Sequence, residues 1–199
     1  RLLQQAWPLA ALILVIPFTA PSAATDWAAN RLISLDKVTV GPADNFEATI
    51  APDGSLLYFT QARNQIPHVY RQGTDSALAE PLLGGEIDTK DPALQPNGKH
   101  LAVTSLRYDA RGDICLVALH DTARLQCLTE PGAYEREPFW LDNTRLGYLQ
   151  RASADAPWQL VVRNIAAGTT EVLHEGRLSA PSAAPGGRLI AFNEIMAGT

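Results

Sequence analysis

Glu47-Ala-Thr-Ile-Ala-Pro-Asp-Gly54 recurs about 44 residues later as Asp91-Pro-Ala-Leu-Gln-Pro-Asn-Gly98, and again as Ala180-Pro-Ser-Ala-Ala-Pro-Gly-Gly187. A degenerate copy, Glu137-Pro-Phe-Trp-Leu-Asp-Asn-Thr144, fills the gap between the second and the last. Each copy runs into an apolar stretch: Leu56–Phe59, Leu101–Val103, Leu146–Leu149 and Leu189–Phe192. Pro-Asp-Gly is turn chemistry, because proline presets φ, Asp bonds its own backbone and Gly takes a positive φ. Asn97-Gly98 and Gly186-Gly187 serve the same purpose. The Glu137 copy carries Asp142-Asn143-Thr144, one residue shorter and without the glycine, so its hairpin is expected to be the least regular.

Outward from these turns the pattern is strand, turn, strand, loop, strand, turn, strand. The first unit reads Ala48–Ala51, Ser55–Gln61, His68–Arg71 and a weak Pro81–Leu83. The second reads Ala93–Gln95, His100–Ser105, Asp113–Leu119 and Arg124–Leu128, and the third Phe139–Leu141, Arg145–Gln150, Gln159–Asn164 and Thr170–Leu173. Lys37–Val40 alternates like a further strand, and Asp26–Ser34 reads as a short helix or an irregular lead-in. Four short strands in one such period make the unit of a β-propeller blade. The lack of long amphipathic helices removes α/β barrels and doubly wound sheets. Strand spacing alone would also suit a β-sandwich, but the internal repetition opposes it.

Proline, three residues, Pro-Asp-Gly, an apolar strand, then Ser/Thr-x-x-Arg resembles the TolB-like propeller repeat. Thr60-Gln-Ala-Arg63 and Thr104-Ser-Leu-Arg107 fit its loop, and Arg151 lies in register although Leu149-Gln150 replace the small polar residues. The likeness runs from about Asp44 to Phe192. It implies an all-β chain of four-stranded antiparallel blades, about three and a half of them in residues 44–199, a partial propeller incomplete at its C-terminus. Closed propellers have about four to eight blades, so further sequence is expected to complete the ring, the alternative being a smaller ring closed with the help of the strand near Val38–Val40.

Composition narrows the setting. With 46% hydrophobic and 19% charged residues the chain is globular. A net charge of −5 gives no basic footprint, so no nucleic-acid partner is expected. Residues 1–24 read as a signal peptide: Trp7–Phe18 is a 12-residue apolar core, followed by small residues and cleavage after Ala24. The alternative is a membrane anchor, since Ala6–Ala24 carries no charge. No cysteine precedes Cys115, which excludes a lipoprotein anchor at that site. Residues 25–43 form a lead-in. A periplasmic or secreted location follows, with membrane contact only through an uncleaved leader. In that compartment Cys115 and Cys127, on two runs joined by His120-Asp-Thr-Ala123, are expected to form a cross-strand disulfide, the alternative being two buried thiols.

No catalytic constellation stands out: there is no Gly-x-Ser-x-Gly elbow and no phosphate-cradling loop, and no metal or other cofactor is expected. His68, His100, His120 and His174 are scattered one to a segment. The suggestive feature is acidic. Asp44 and Glu47, Asp88 and Asp91, and Glu135 and Glu137 all lie in segments leading into the first strand of a unit, where a propeller gathers them at its channel mouth. There they would focus negative potential on a cation or a basic segment of a partner. The competing reading is solvated loop carboxylates chosen for turn propensity, and Arg177 and Ala180 break the pattern in the last copy. Phe46, Tyr58, Phe59, Phe139, Trp140 and Tyr148 read as inter-blade packing, and Arg63, Arg107 and Arg151 as structural binders of loop carbonyls, the alternative for that row being a phosphate- or carboxylate-binding role.

These readings lead to an exported protein-interaction scaffold, envelope-associated in the manner the resemblance implies, with a protein partner. Two alternatives depend on flanking sequence: the propeller portion of a prolyl-oligopeptidase-like peptidase, and the extracytoplasmic sensor of a one-span regulator.

Overall fold

A computed structural model describes residues 38–39, 43–83 and 88–196. All of these belong to the compact unit spanning 37–199. The leader at 1–24 and the segment 26–34, read as a short helix or an irregular lead-in, lie outside the described residues.

Alternating apolar runs and tight turns produce short antiparallel strands, and no helix occurs among the described residues. The first sheet contains β1 (Asp44–Ile50), β2 (Leu56–Arg63), β3 (Ile66–Gly73) and β4 (Ala79–Pro81). The second contains β5 (Thr89–Leu94), β6 (His100–Ser105), β7 (Asp113–Ala118) and β8 (Asp121–Cys127). The third contains β9 (Tyr134–Trp140), β10 (Arg145–Arg151), β11 (Trp158–Asn164) and β12 (Thr170–Gly176), and β13 (Leu178–Ala183) pairs with β14 (Ile190–Glu194) as half a fourth. Every sheet runs antiparallel in chain order. The first strands β1, β5, β9 and β13 pack beside one another in sequence. The sheets therefore radiate from a common axis, which is the arrangement of propeller blades.

Each blade is too small to bury its own faces, and the core lies between blades. Tyr58 and Val69 of the first blade meet Leu101, Val103, Cys115 and Val117 of the second. Ala102, Ile114 and Leu116 point the other way, onto Trp140, Leu146, Tyr148 and Val161. Phe139, Leu149 and Leu160 then pack on Leu178, with Ile190 and Phe192 alongside. The two-residue period of a strand thus feeds two different cores from one blade. Of the aromatic residues expected to fill these interfaces, Phe46 does not, being 40% exposed, while Phe59 is buried and stacks on Tyr70 at 6.2 Å.

The hairpin at Asp142 is, as expected, the least regular of the four, without the turn bond that Gly54, Gly98 and Gly187 N–H make to Ala51, Gln95 and Ala184 O. It is one residue shorter, its closing bond running from Leu141 N–H to Arg145 O where the others run from Ala51 to Leu56, Gln95 to His100 and Ala184 to Leu189. It is nevertheless well ordered, because side chains replace the missing glycine. Asp142 Oδ1 accepts from Thr144 N–H and Arg145 N–H at 2.8 Å each, and Oδ2 from Arg145 Nε at 2.7 Å. Asn143 ties the turn to the neighbouring blade, its carbonyl accepting from Gln95 Nε2 at 2.7 Å and its Oδ1 from Asn97 N–H at 3.0 Å.

The first strands also begin earlier than the sequence suggests, at Asp44, Thr89 and Tyr134 rather than at Ala48, Ala93 and Phe139. Prolines 92 and 138 fall inside them and are absorbed by a bulge, the position at which a strand tolerates proline. Val38 and Thr39 are not in a strand, although Val38 O accepts a bond from Gln72 Nε2 at 2.8 Å. Cys115 and Cys127 stand directly opposite in the β7–β8 register and are joined by a disulfide.

Candidate functional site

The bulge recurs in the first strand of every blade, where these strands pack side by side. Register shifts interrupt the pairing between Phe46 and Thr49, Lys90 and Ala93, Gly147 and Leu149, and Ser179 and Ser182. At each, one residue adopts a left-handed backbone: Glu47 (φ 54°), Asp91 (54°), Glu137 (53°) and Ala180 (51°). That conformation is uncommon for residues with a Cβ, and proline follows three of the four, which ordinarily favours extended backbone.

Hydrogen bonds from the neighbouring blade hold it. Asp91 N–H donates to Glu47 Oε2 at 3.0 Å, Glu137 N–H to Asp91 Oδ2 at 3.2 Å, and Ala180 N–H to Glu137 Oε2 at 2.7 Å. Hydroxyls from the second strands reinforce the first two, Thr60 Oγ1 donating to Glu47 Oε2 at 3.0 Å and Thr104 Oγ1 to Asp91 Oδ2 at 2.7 Å. Each carboxylate thus latches the bulge of the next blade. Ala180 receives such a bond, but its methyl side chain cannot accept one from a further blade.

Glu47, Asp91 and Glu137 meet at a cavity of about 360 Å³, with Pro92, Pro138, Ser179 and Pro181 on its walls. Glu47 is exposed as a residue, but partial burial of its carboxyl end, and next the Asp91 carboxyl beside it, push it up to about 7. Asp91 is 6% exposed and its Oδ1 has no hydrogen-bond partner. Among the described residues no group of three His, Cys, Asp or Glu is placed to hold a metal ion.

The other acidic residues singled out from sequence do not join this cavity. Asp44 is exposed and Asp88 half-buried. Glu135 turns between the second and third blades, where it is 3% exposed and lines a cavity of about 420 Å³ with Thr129, Tyr148, Gln150 and Arg163. Burial raises it to about 7 against bonds from Thr129 and Ile114 that favour the charged form. Asp113, also buried, has neither carboxyl oxygen hydrogen-bonded and is raised by burial and then by Asp109.

Raised carboxyls set the pH dependence of stability. Between the ordinary glutamate value of 4.5 and about 7, Glu135 and Glu47 hold protons in the folded chain that they lose on unfolding. Stability is therefore expected to fall as pH rises through that window. Asp53 and Asp142, lowered by turn hydrogen bonds, act oppositely but only as pH drops below the ordinary Asp value of 3.8. Thermal unfolding should give a higher Tm at about pH 5 than at about pH 8, and Glu135→Gln should flatten that slope. A Tm that rises over this range would contradict the assignment.

Sequence reasoning missed a second cluster on the rim formed by the β6–β7, β8–β9, β10–β11 and β12–β13 loops. The Arg151 guanidinium lies between Tyr134 (4.8 Å to the ring centre) and Trp158 (4.5 Å), with Arg111 over Tyr134 at 5.6 Å and Arg136 over Trp158 at 4.1 Å. Arg151 does bind a loop carbonyl, Nη1 donating to Ala154 O at 2.6 Å, whereas Arg107 lies over Tyr108 at 5.6 Å. The Arg63 side chain lies outside the described residues. The only signal in the sequence is the blade alignment, which brings these scattered residues to one rim.

No protein-family model matches the sequence, and no curated protein does. Solved structures do match in three dimensions. TolB from Acinetobacter baumannii aligns with a TM-score of 0.63 and 22% identity over 72% of this chain and 36% of that one. The fold is that of a TolB-like propeller. A putative TolB from Agrobacterium tumefaciens gives 0.59 at 18% identity, over 68% of this chain and 50% of that one. An oligogalacturonate lyase in complex with manganese gives 0.58 at 13%, over 78% and 49%. The TolB-like propeller described here therefore spans half or less of each of these proteins, and the likeness is one of fold.

Proposed function

We propose that this TolB-like propeller is an exported protein-interaction scaffold whose channel mouth receives a basic segment of a partner protein. The observation that carries the reading is the Glu47–Asp91 pair. Asp91 Oδ1 is buried without a partner beside a Glu47 carboxyl raised to about 7. Once Glu47 loses its proton, two negative groups face one cavity, and a lysine ammonium with three donors compensates both. Glu137 on the same wall adds to the potential. An envelope setting rests on the TolB-like fold together with the leader read in the sequence.

Binding of a short lysine-rich peptide, followed by calorimetry, is expected to be about tenfold tighter at about pH 8 than at about pH 5.5, with proton release near neutral pH. Glu47→Gln should abolish both the pH dependence and the proton release. Equal affinity at the two pH values, or an unchanged Glu47→Gln variant, would overturn the proposal.

A further inference from the structure

The arginine–aromatic ladder borders a cavity of about 530 Å³ between the third blade and β13, with Arg136, Arg151, Trp158 and Arg177 on its walls. Stacking engages the faces of these guanidinium groups and leaves their N–H edges to find partners. Arg151 bonds Ala154 O through one nitrogen and Arg136 bonds Leu178 O through one, at 3.2 Å. The Nε atoms of both are buried without a hydrogen bond. Glu137 Oε1 lies 3.3 Å from Arg136 Nε as an ion pair, but the other oxygen of that carboxylate latches Ala180. Arg177 is exposed, and among the described residues its side chain has no ion-pair partner. Three guanidinium groups stand on the wall with Asp155, while Glu137 pairs with Arg136 and the Glu194 carboxylate lies against Gly176, so Arg151 and Arg177 carry the charge left to meet a ligand.

Stacked guanidinium groups with open edges suit oxygens arranged in a plane or tetrahedron, which they bind in pairs. We propose that this cavity binds a small oxyanion, the carboxylate or phosphate group of a small organic acid or phosphate ester, on the N–H edges of Arg136, Arg151 and Arg177. The ring faces of Trp158 are in contact with Arg136 and Arg151, so recognition falls to charge and hydrogen bonding rather than to stacking of the ligand on the ring.

Inorganic phosphate and succinate serve as separate probes, titrated at low ionic strength with tryptophan fluorescence and calorimetry as readouts. Saturable binding of either supports the site, and the one that binds tells a phosphate from a carboxylate ligand. Arg177→Gln, at an exposed position, is expected to weaken binding about tenfold while leaving the Tm unchanged, and Arg177→Lys to recover part of it. Glu47→Gln, at the channel mouth, should leave oxyanion binding as it was, which separates this site from the one proposed for a basic segment. No saturation by either probe up to about 20 mM, or equal affinity in Arg177→Gln, would reject the site.

Discussion

Asp91→Ala is expected to destabilise the propeller by about 4 kcal/mol, because it orphans donors that this carboxylate satisfies in a buried setting. Thr104 Oγ1 and Glu137 N–H both donate to Asp91 Oδ2, the second from the next blade. Alanine would also have to adopt the φ of 54° that Asp91 holds, without a polar side chain to support it. Asp91→Asn separates the causes. Asparagine tolerates a left-handed backbone, keeps one oxygen for both donors and turns an NH₂ toward Glu47, so stability should stay within about 1 kcal/mol of the parent. Its Glu47 should titrate lower than in the parent, since the adjoining carboxyl is gone. Urea unfolding of the two variants gives the comparison. If alanine and asparagine prove equally stable, the inter-blade latch contributes little and the bulge is held by something else.

Gly147→Ala should cost about 3 kcal/mol through overpacking. Gly147 pairs with Phe139 across β9–β10, and the ring lies over the glycine. A Cβ there would fall 2.5 and 2.8 Å from Phe139 Cε1 and Cε2, and closer still to Cζ. Phe139 is 7% exposed and forms part of the core between the third blade and β13, so the ring has little room to retreat. Covering a strand glycine with an aromatic ring is a way sheets recover the packing that the missing side chain forgoes. Adding Phe139→Leu to Gly147→Ala should recover stability, so that the double variant loses less than the sum of the two singles. Additive losses would show that the ring is not the obstacle.

Much of the blade was legible because its signals are local. Pro52-Asp53-Gly54 and its copies specify turns through their own side chains, and the apolar runs after them can only be buried strands. The bulge was not legible, because its cause lies in another blade: the left-handed φ at Asp91 is supported by a residue 44 positions away. The same omission explains the acidic rim. A strict two-residue alternation would place Glu135 and Glu137 on one face. The bulge breaks that parity, sending Glu135 between blades and Glu137 to the channel.

The latch also bears on how such a chain can lengthen by duplication of its coding segment. A blade that brings its own carboxylate and its own left-handed N–H carries both halves of the joint, so a copy inserted after the first or second blade would find matching neighbours on either side. The copy containing Ala180 carries only the receiving half. A blade placed after it would present an N–H with no carboxylate to take it, until a substitution at that position supplied one. Alanine at 180 therefore makes the blades unequal as templates, and growth by copying is easiest where the acid is retained.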